Sequence, residues 1–329
     1  MIRMDRNSNK PSIYIIMSCI MYGSVGVLLN GINGMETGAI LFYRFFFGLI
    51  GVICFIIATK RYNDLYLSKK KPYMVLRGIL NIICLFSYFL SMKYAGVSIA
   101  VMLLYTAPVY VTLASPLLFK ERISIQSMIA LLLSVVGILM LIDPSNITSV
   151  GVADNYPLGI FFGIIAGFSN ASSSLTIDHL KEDYSGLSLL FWPTLMGMLI
   201  LSPYAVSVSG QVLLENIWML LQMGLLLSAV AALIYLNGAV SMKAQKASVL
   251  ALLEPVSSIF FGYIILNDPL FGNTIKGCGL IMIGAFMISM GDMNFFGSRI
   301  HPRLKMRRDL YVSSWRGFPR FHFGNFRRY

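Results

Sequence analysis

The sequence predicts an all-α membrane protein: ten transmembrane helices arranged as two inverted five-helix repeats. Three observations predict it. The 329 residues are 57% hydrophobic and only 12% charged, with mean hydropathy +0.74. A soluble domain carries about twice that charge fraction to cover its surface. Ten apolar runs, each close to the ~20 residues that cross a bilayer, follow one another with polar turns between them. The chain also resembles itself when shifted by 147 residues.

The runs cover 13–31, 38–59, 73–93, 97–118, 124–142, 157–177, 187–206, 215–240, 247–266 and 273–291. Each must be a helix, because an isolated segment in lipid satisfies its backbone N–H and C=O groups only internally. The first run exceeds the apolar stretch of an ordinary signal peptide. Tyr22 and Gly23 interrupt it, and no cleavage site of the A-x-A type follows, so it reads as a retained first helix. Turn-forming pairs such as Asn33-Gly34, Asp143-Pro144 and Asp268-Pro269 fall between runs, as does Asp183 through Gly186. The four cysteines, Cys19, Cys54, Cys84 and Cys278, lie inside runs and read as small apolar packing residues.

Lys and Arg orient the bundle. They crowd alternate connections: Arg3, Arg6 and Lys10; Lys60, Arg61, Lys69, Lys70, Lys71 and Arg77; Lys120 and Arg122; Lys181; Lys243 and Lys246; and nine after residue 291. Only Lys93 and Lys276 fall on the other side, and Arg44 is inside the second run. Both termini are therefore expected in the cytoplasm, in a multi-pass protein of the cell membrane. The net charge of +12 is a topology signal and does not argue for nucleic acid. The expected organisation is a cytoplasmic N-terminus (1–12), a first repeat (13–142), an extracytoplasmic linker (143–156), a second repeat (157–291) and a basic cytoplasmic tail (292–329). The tail reads as disordered or lying on the membrane surface, attracted to anionic lipid. Oligomeric state is not encoded in any of these features.

At the offset of 147, Tyr88 falls on Tyr235, Ala100 on Ala247, Leu103 on Leu250, Pro108 on Pro255, Glu121 on Asp268 and Gly137 on Gly284. Each half holds five helices. An odd number makes the second half enter the membrane from the opposite side, the architecture of transporters that face each side in turn.

Apart from Glu215, read as the end of the loop that opens its run, Glu254 is the only carboxylate inside the apolar runs, and a proline follows it. A charge at the bilayer centre costs about 2.5–3.5 kcal/mol on insertion scales, so such a residue faces a cavity or a partner. It is a candidate substrate ligand and proton-coupling group; a structural tether between helices is the alternative. Arg77, Asn81, Cys84, Tyr88 and Ser91 step by helical spacing into one polar stripe, as do Tyr105, Pro108, Thr112 and Ser115. Such stripes either line a cavity or pack helices together. With the other half included, Asn81, Tyr88, Tyr105, Trp192, Tyr235 and Glu254 are the candidate substrate-binding residues. Pro108 and Pro255 each delete a backbone hydrogen bond and are candidate hinges or kinks, freeing the carbonyls of residues 104 and 251. Arg44 either snorkels outward or binds a substrate carboxylate. A polar face of Ser169, Ser172, Ser173 and Thr176 reads as packing, and His179 as a solvated loop residue.

Two stretches resemble a known family. GVSIAVMLLYTAPVYVTLASPLLFKERI (96–123) carries a mid-membrane proline and a closing Lys-Glu-Arg. KASVLALLEPVSSIFFGYIILNDPL (246–270) carries Glu-Pro and closes on Asn-Asp, where the family more often has Gly-Glu. Together they resemble the EamA-type branch of the drug/metabolite transporter superfamily, over residues 12–291 in two copies. The resemblance implies a 5+5 helix bundle around a central cavity, moving small metabolites such as amino acids. It also implies a structural or gating role for Arg44.

The expected function is a secondary active transporter, an exporter of amino acids or related amphipathic compounds, with a proton as coupling ion. The alternatives are an integral-membrane enzyme and a signalling or scaffold protein acting through its basic tail. No catalytic residue, metal or cofactor is expected. The chain has no GxxxxGK[ST] phosphate loop and no HExxH, and two of its three histidines lie in the tail.

Overall fold

A computed structural model describes residues 10–67, 69–119, 123–141, 155–267 and 271–289. Expectations placed on the N-terminal segment, the 143–156 linker and the tail lie almost wholly outside these residues. So does the Glu121–Asp268 match. Among the described residues, eight helices are long and apolar enough to cross a membrane, and two shorter apolar ones accompany them. In order they are α1 (Lys10–Asn30), α2 (Thr37–Thr59), α3 (Lys71–Ala95), α4 (Ile99–Phe119), α5 (Ile125–Leu141), α6 (Tyr156–Leu180), α7 (Gly186–Ala205), α8 (Gly210–Ala239), α9 (Ala244–Leu266) and α10 (Gly272–Ile288). The chain contains no strand among the described residues.

Local chemistry sets the ends. Pro72 and Pro157 occupy the first turns of α3 and α6, where the missing N–H costs nothing. Gly96, at φ 85°, turns the chain from α3 directly into α4. Ser185 and Ser209 cap α7 and α8 by accepting the N–H groups of Ser188 and Val212. The Ser209 cap starts α8 five residues earlier than the sequence pattern suggests. Glu215, read as a loop residue, instead sits in its second turn, accepting from Gln211 Nε2 at 3.1 Å.

The apolar faces point outward as well as inward. α2 buries Leu41, Phe45, Leu49, Val52 and Ile56, yet exposes Phe46, Ile50, Ile53 and Ile57 along its other side. A helix apolar all round is built for lipid.

The two halves pack by one rule. α3 packs on α6, and their counterparts α8 and α1 pack on each other; α2 packs on α8, and α7 on α3. α2 meets its own counterpart α7, and α5 meets α10. Fine contacts repeat the pattern. At the α5–α10 crossing, a Cβ on Gly137 would lie 2.7 Å from the carbonyl oxygen of Gly277, and a Cβ on Gly284 2.7 Å from that of Ala130. Gly284 and Ala130 are the offset-147 counterparts of Gly137 and Gly277. Small residues let these backbones touch. At the bundle ends, Asn216 exchanges hydrogen bonds with the Asn33 backbone at 2.9 and 3.0 Å. At the related place on the opposite end, Lys70 Nζ donates to the His179 carbonyl at 2.9 Å and pairs with Asp183, while the Tyr184 hydroxyl donates to the Lys69 carbonyl.

Candidate functional site: a central cavity between the repeats

The packing leaves a cavity of about 550 Å³ at the centre of the bundle, walled by residues of α1 through α9. That volume suits a small metabolite.

Two helix breaks shape its wall. α4 is interrupted at Tyr105 and Thr106, between segments Val97–Leu104 and Ala107–Phe119. α9 is interrupted at Leu252, between Ala244–Ala251 and Leu253–Phe261. Leu252 is the offset-147 counterpart of Tyr105, so the breaks are themselves a repeated feature. Pro108 and Pro255 do not kink a continuous helix. They sit in the first turn of the second segment, where proline fits. Leu104 and Ala251, the residues whose carbonyls the prolines strand, both line the cavity. Thr106 Oγ1 bonds the Leu103 carbonyl at 2.6 Å, and the Cys19 thiol faces the Leu250 and Ala251 carbonyls at 3.7 and 3.9 Å. Cys19 therefore does more than pack.

Asn81, Tyr88, Tyr105, Tyr235 and Glu254 all stand on the cavity wall, with Pro108 and Pro255. The Glu254 carboxyl faces the Tyr105 hydroxyl and lies in the field of Arg44. It is the one carboxylate among the described lining residues. Arg44 does not snorkel. Its side chain is buried, and Nε donates to Ser228 Oγ on α8 at 2.9 Å. The hydroxyl gives the guanidinium an inward anchor that the sequence pattern around Arg44 does not reveal.

Trp192 is the exception. It is absent from the wall, and its indole Nε1 donates to the Leu65 carbonyl at 3.1 Å, holding the α2–α3 connection. Its neighbours Pro193 and Thr194 take the wall position on α7. On α6 the lining residues are Asn170, Ser173, Ser174 and Ile177. Ser172 instead bonds the Phe168 carbonyl on the exposed side, and Thr176 bonds that of Ser172. His179 lies against Tyr73, ring centroids 4.5 Å apart and the planes tilted by 50°.

Several lining residues carry polar groups that sequence reasoning passed over: Tyr22, Asn170, Ser228, Ser248 and Ser258. Ser228 belongs to Gln222–Ala231, a π-helical stretch of α8. The wider turn there rotates the face, so 3.6-residue stepping misplaces it. Arg77 also lines the cavity. Its place in a polar stripe was a usable signal, outweighed by its nearness to a basic loop. Among the described residues no three His, Cys, Asp or Glu side chains converge as metal ligands. What the arrangement offers is hydrogen bonding and charge for a small ligand, from aromatic walls contributed by both halves.

Comparison with known proteins follows the same outline. The sequence pattern of the EamA-like transporter family matches residues 9–143 and again 157–290. An uncharacterized transporter of Archaeoglobus fulgidus is 27% identical over 277 residues, covering 83% of this chain and 94% of the relative. An uncharacterized inner membrane transporter of Salmonella typhimurium is 23% identical over 296 residues, covering 86% and 96%. A solved crystal structure shares the fold at a TM-score of 0.71 and 16% identity, over 84% of this chain and 96% of that one.

Proposed function

This chain belongs to the EamA-like transporter family, and we propose that it exports small amphipathic metabolites, amino acids or their relatives, through the central cavity. The observation that carries this reading is the cavity itself: formed by both repeats, sized for a metabolite, and walled by Tyr88, Tyr105, Tyr235 and Asn81. Aromatic walls with a few hydrogen-bonding groups bind compounds that are apolar on one side and polar on the other.

Alternating access follows from the repeat. Two halves of like fold and opposite sense form one site that each can open to its own side. The breaks in α4 and α9 are where backbone can swing without sacrificing helical hydrogen bonds, so Pro108 and Pro255 mark the hinges. Arg44, anchored by Ser228, orients the polar end of the ligand or the gate. Glu254 is the coupling group: it takes a proton from one side and releases it to the other as the cavity reopens, exchanging one proton for one substrate molecule. The charge asymmetry of the loops puts both termini in the cytoplasm and the 143–156 linker outside, in the cell membrane.

The test is counterflow in proteoliposomes preloaded with candidate amino acids and aromatic acids. Wild type exchanges label for at least one of them. Tyr88→Ala and Tyr105→Ala lose that exchange while inserting and melting normally. Undiminished exchange in both variants removes the cavity from the transport path.

A further inference from the structure

The cavity holds two arginines and one carboxylate among the described lining residues, and only one arginine is accounted for. Arg44 has Ser228 as a hydrogen-bond partner and Glu254 as its counter-charge. Arg77 has neither. It lies about six residues into α3, or roughly 9 Å along the helix at 1.5 Å per residue. α2 and α3 run antiparallel, so Arg77 sits in the opposite half of the bundle from Arg44. Its side chain is only 6% exposed, it lines the cavity, and its Nε is buried without a hydrogen-bond partner. No acidic side chain pairs with it among the described residues. The charged groups around Glu254 do not include Arg77, and the ionisable groups facing Arg77 are the hydroxyls of Tyr235 and Tyr22.

A guanidinium brings five N–H donors in a planar fork matched to a carboxylate. Leaving the Nε donor unpaired in a buried, membrane-embedded site is costly. Packing alone gives no reason to keep the charge, because an apolar side chain of similar size would fill the same space. We propose that Arg77 is a substrate ligand that binds the carboxylate of an anionic substrate, and that the cavity therefore selects net-negative compounds. This rests on the transport reading above and narrows it, from amino acids and their relatives at large to those among them that carry a net negative charge. Asn81, one turn further along α3, and Tyr235, from the other repeat, stand beside it on the wall to complete the carboxylate's hydrogen bonds. Two arginines against one carboxylate leave the described wall one positive charge in excess, which a ligand bearing one net negative charge matches.

The experiment uses three probes of one shape: 3-phenylpropionate, phenylalanine and phenethylamine, an anion, a zwitterion and a cation. Their binding to the purified full-length protein in lipid nanodiscs is measured by calorimetry and thermal melting. The wild type should bind 3-phenylpropionate roughly tenfold or more tightly than phenylalanine, the order expected for one charge-assisted contact, and phenethylamine weakest. Arg77→Gln should lose at least about tenfold in 3-phenylpropionate affinity, with the unliganded melting temperature equal to wild type or higher, because an unpaired buried charge has gone. Arg77→Lys should keep part of the binding. Wild-type preference for phenylalanine or phenethylamine, or no binding of any probe, overturns the proposal without needing a variant. So does wild-type affinity in Arg77→Gln, or a fall in its melting temperature. None of these results bears on counterflow, so failure of the anion assignment and failure of the transport reading are told apart.

Discussion

Replacing Glu254 with Gln separates a proton-coupling carboxylate from a structural one. Gln keeps the size and can still hydrogen-bond the Tyr105 hydroxyl that faces it, but it does not titrate. The magnitude follows from a count. Glu254 is the one carboxylate on the described cavity wall, so one proton moves per cycle. One pH unit is worth about 1.36 kcal/mol per proton, which is a tenfold concentration ratio at equilibrium. In proteoliposomes whose membrane potential is clamped to zero, a gradient of one pH unit should therefore drive a labelled substrate to at most about tenfold accumulation. The Gln variant should exchange label for unlabelled substrate at a measurable rate yet reach a ratio of one under the same gradient. Accumulation by the Gln variant equal to wild type would refute the coupling role. A wild-type ratio well above tenfold would refute the single-site count and demand a second titrating group.

Two further outcomes follow from the packing and one from the loop charges. Ser228→Ala leaves the Arg44 Nε without its 2.9 Å partner; a hydrogen bond to a charged group is worth about 1.5–3 kcal/mol, so thermal melting in detergent should fall, and an unchanged melt would show that the anchor is idle. Gly137→Leu forces a side chain against the Gly277 carbonyl, whose oxygen would lie 2.7 Å from the new Cβ. It should cost about 1–3 kcal/mol or more, read as lost folded yield, whereas Met282→Leu on the exposed side of α10 should not. With the native cysteines removed, Ser209→Cys should react with an impermeant thiol reagent from outside and Ser68→Cys should not; outside labelling of residue 68 would invert the topology.

The ten helices were legible because their signal is physical and redundant: apolar length, turn residues and alternating loop charge all mark the same boundaries. The repeat was legible because helix breaks need specific residues. Pro108 and Pro255 mark the starts of the second segments of α4 and α9, and Gly137 and Gly284 mark paired backbone contacts. The wall positions of Asn81, Tyr88, Tyr105 and Tyr235 could be read from helical stepping, since α3 is regular and Tyr235 lies where α8 has returned to α-helical geometry. Stepping failed where the backbone departs from 3.6 residues per turn. The π-helical stretch of α8 concealed Ser228, and with it the reason Arg44 faces inward. Trp192 was misplaced for a different reason. Its direction depends on the Leu65 carbonyl, presented by a short 3₁₀ turn at Tyr62–Leu65 in a connection with no periodicity to read. Arg77 was visible in the stripe, but its missing partner is a fact of three dimensions.

The central claim is that one site opens to both sides of the membrane. A single cysteine at Asn81, in an otherwise cysteine-free chain, tests it through its reaction with an impermeant thiol reagent in right-side-out and in inside-out vesicles. Labelling is expected from both sides, slowed in each case by a transported compound. Labelling from one side only, at a rate that no transported compound changes, would contradict it.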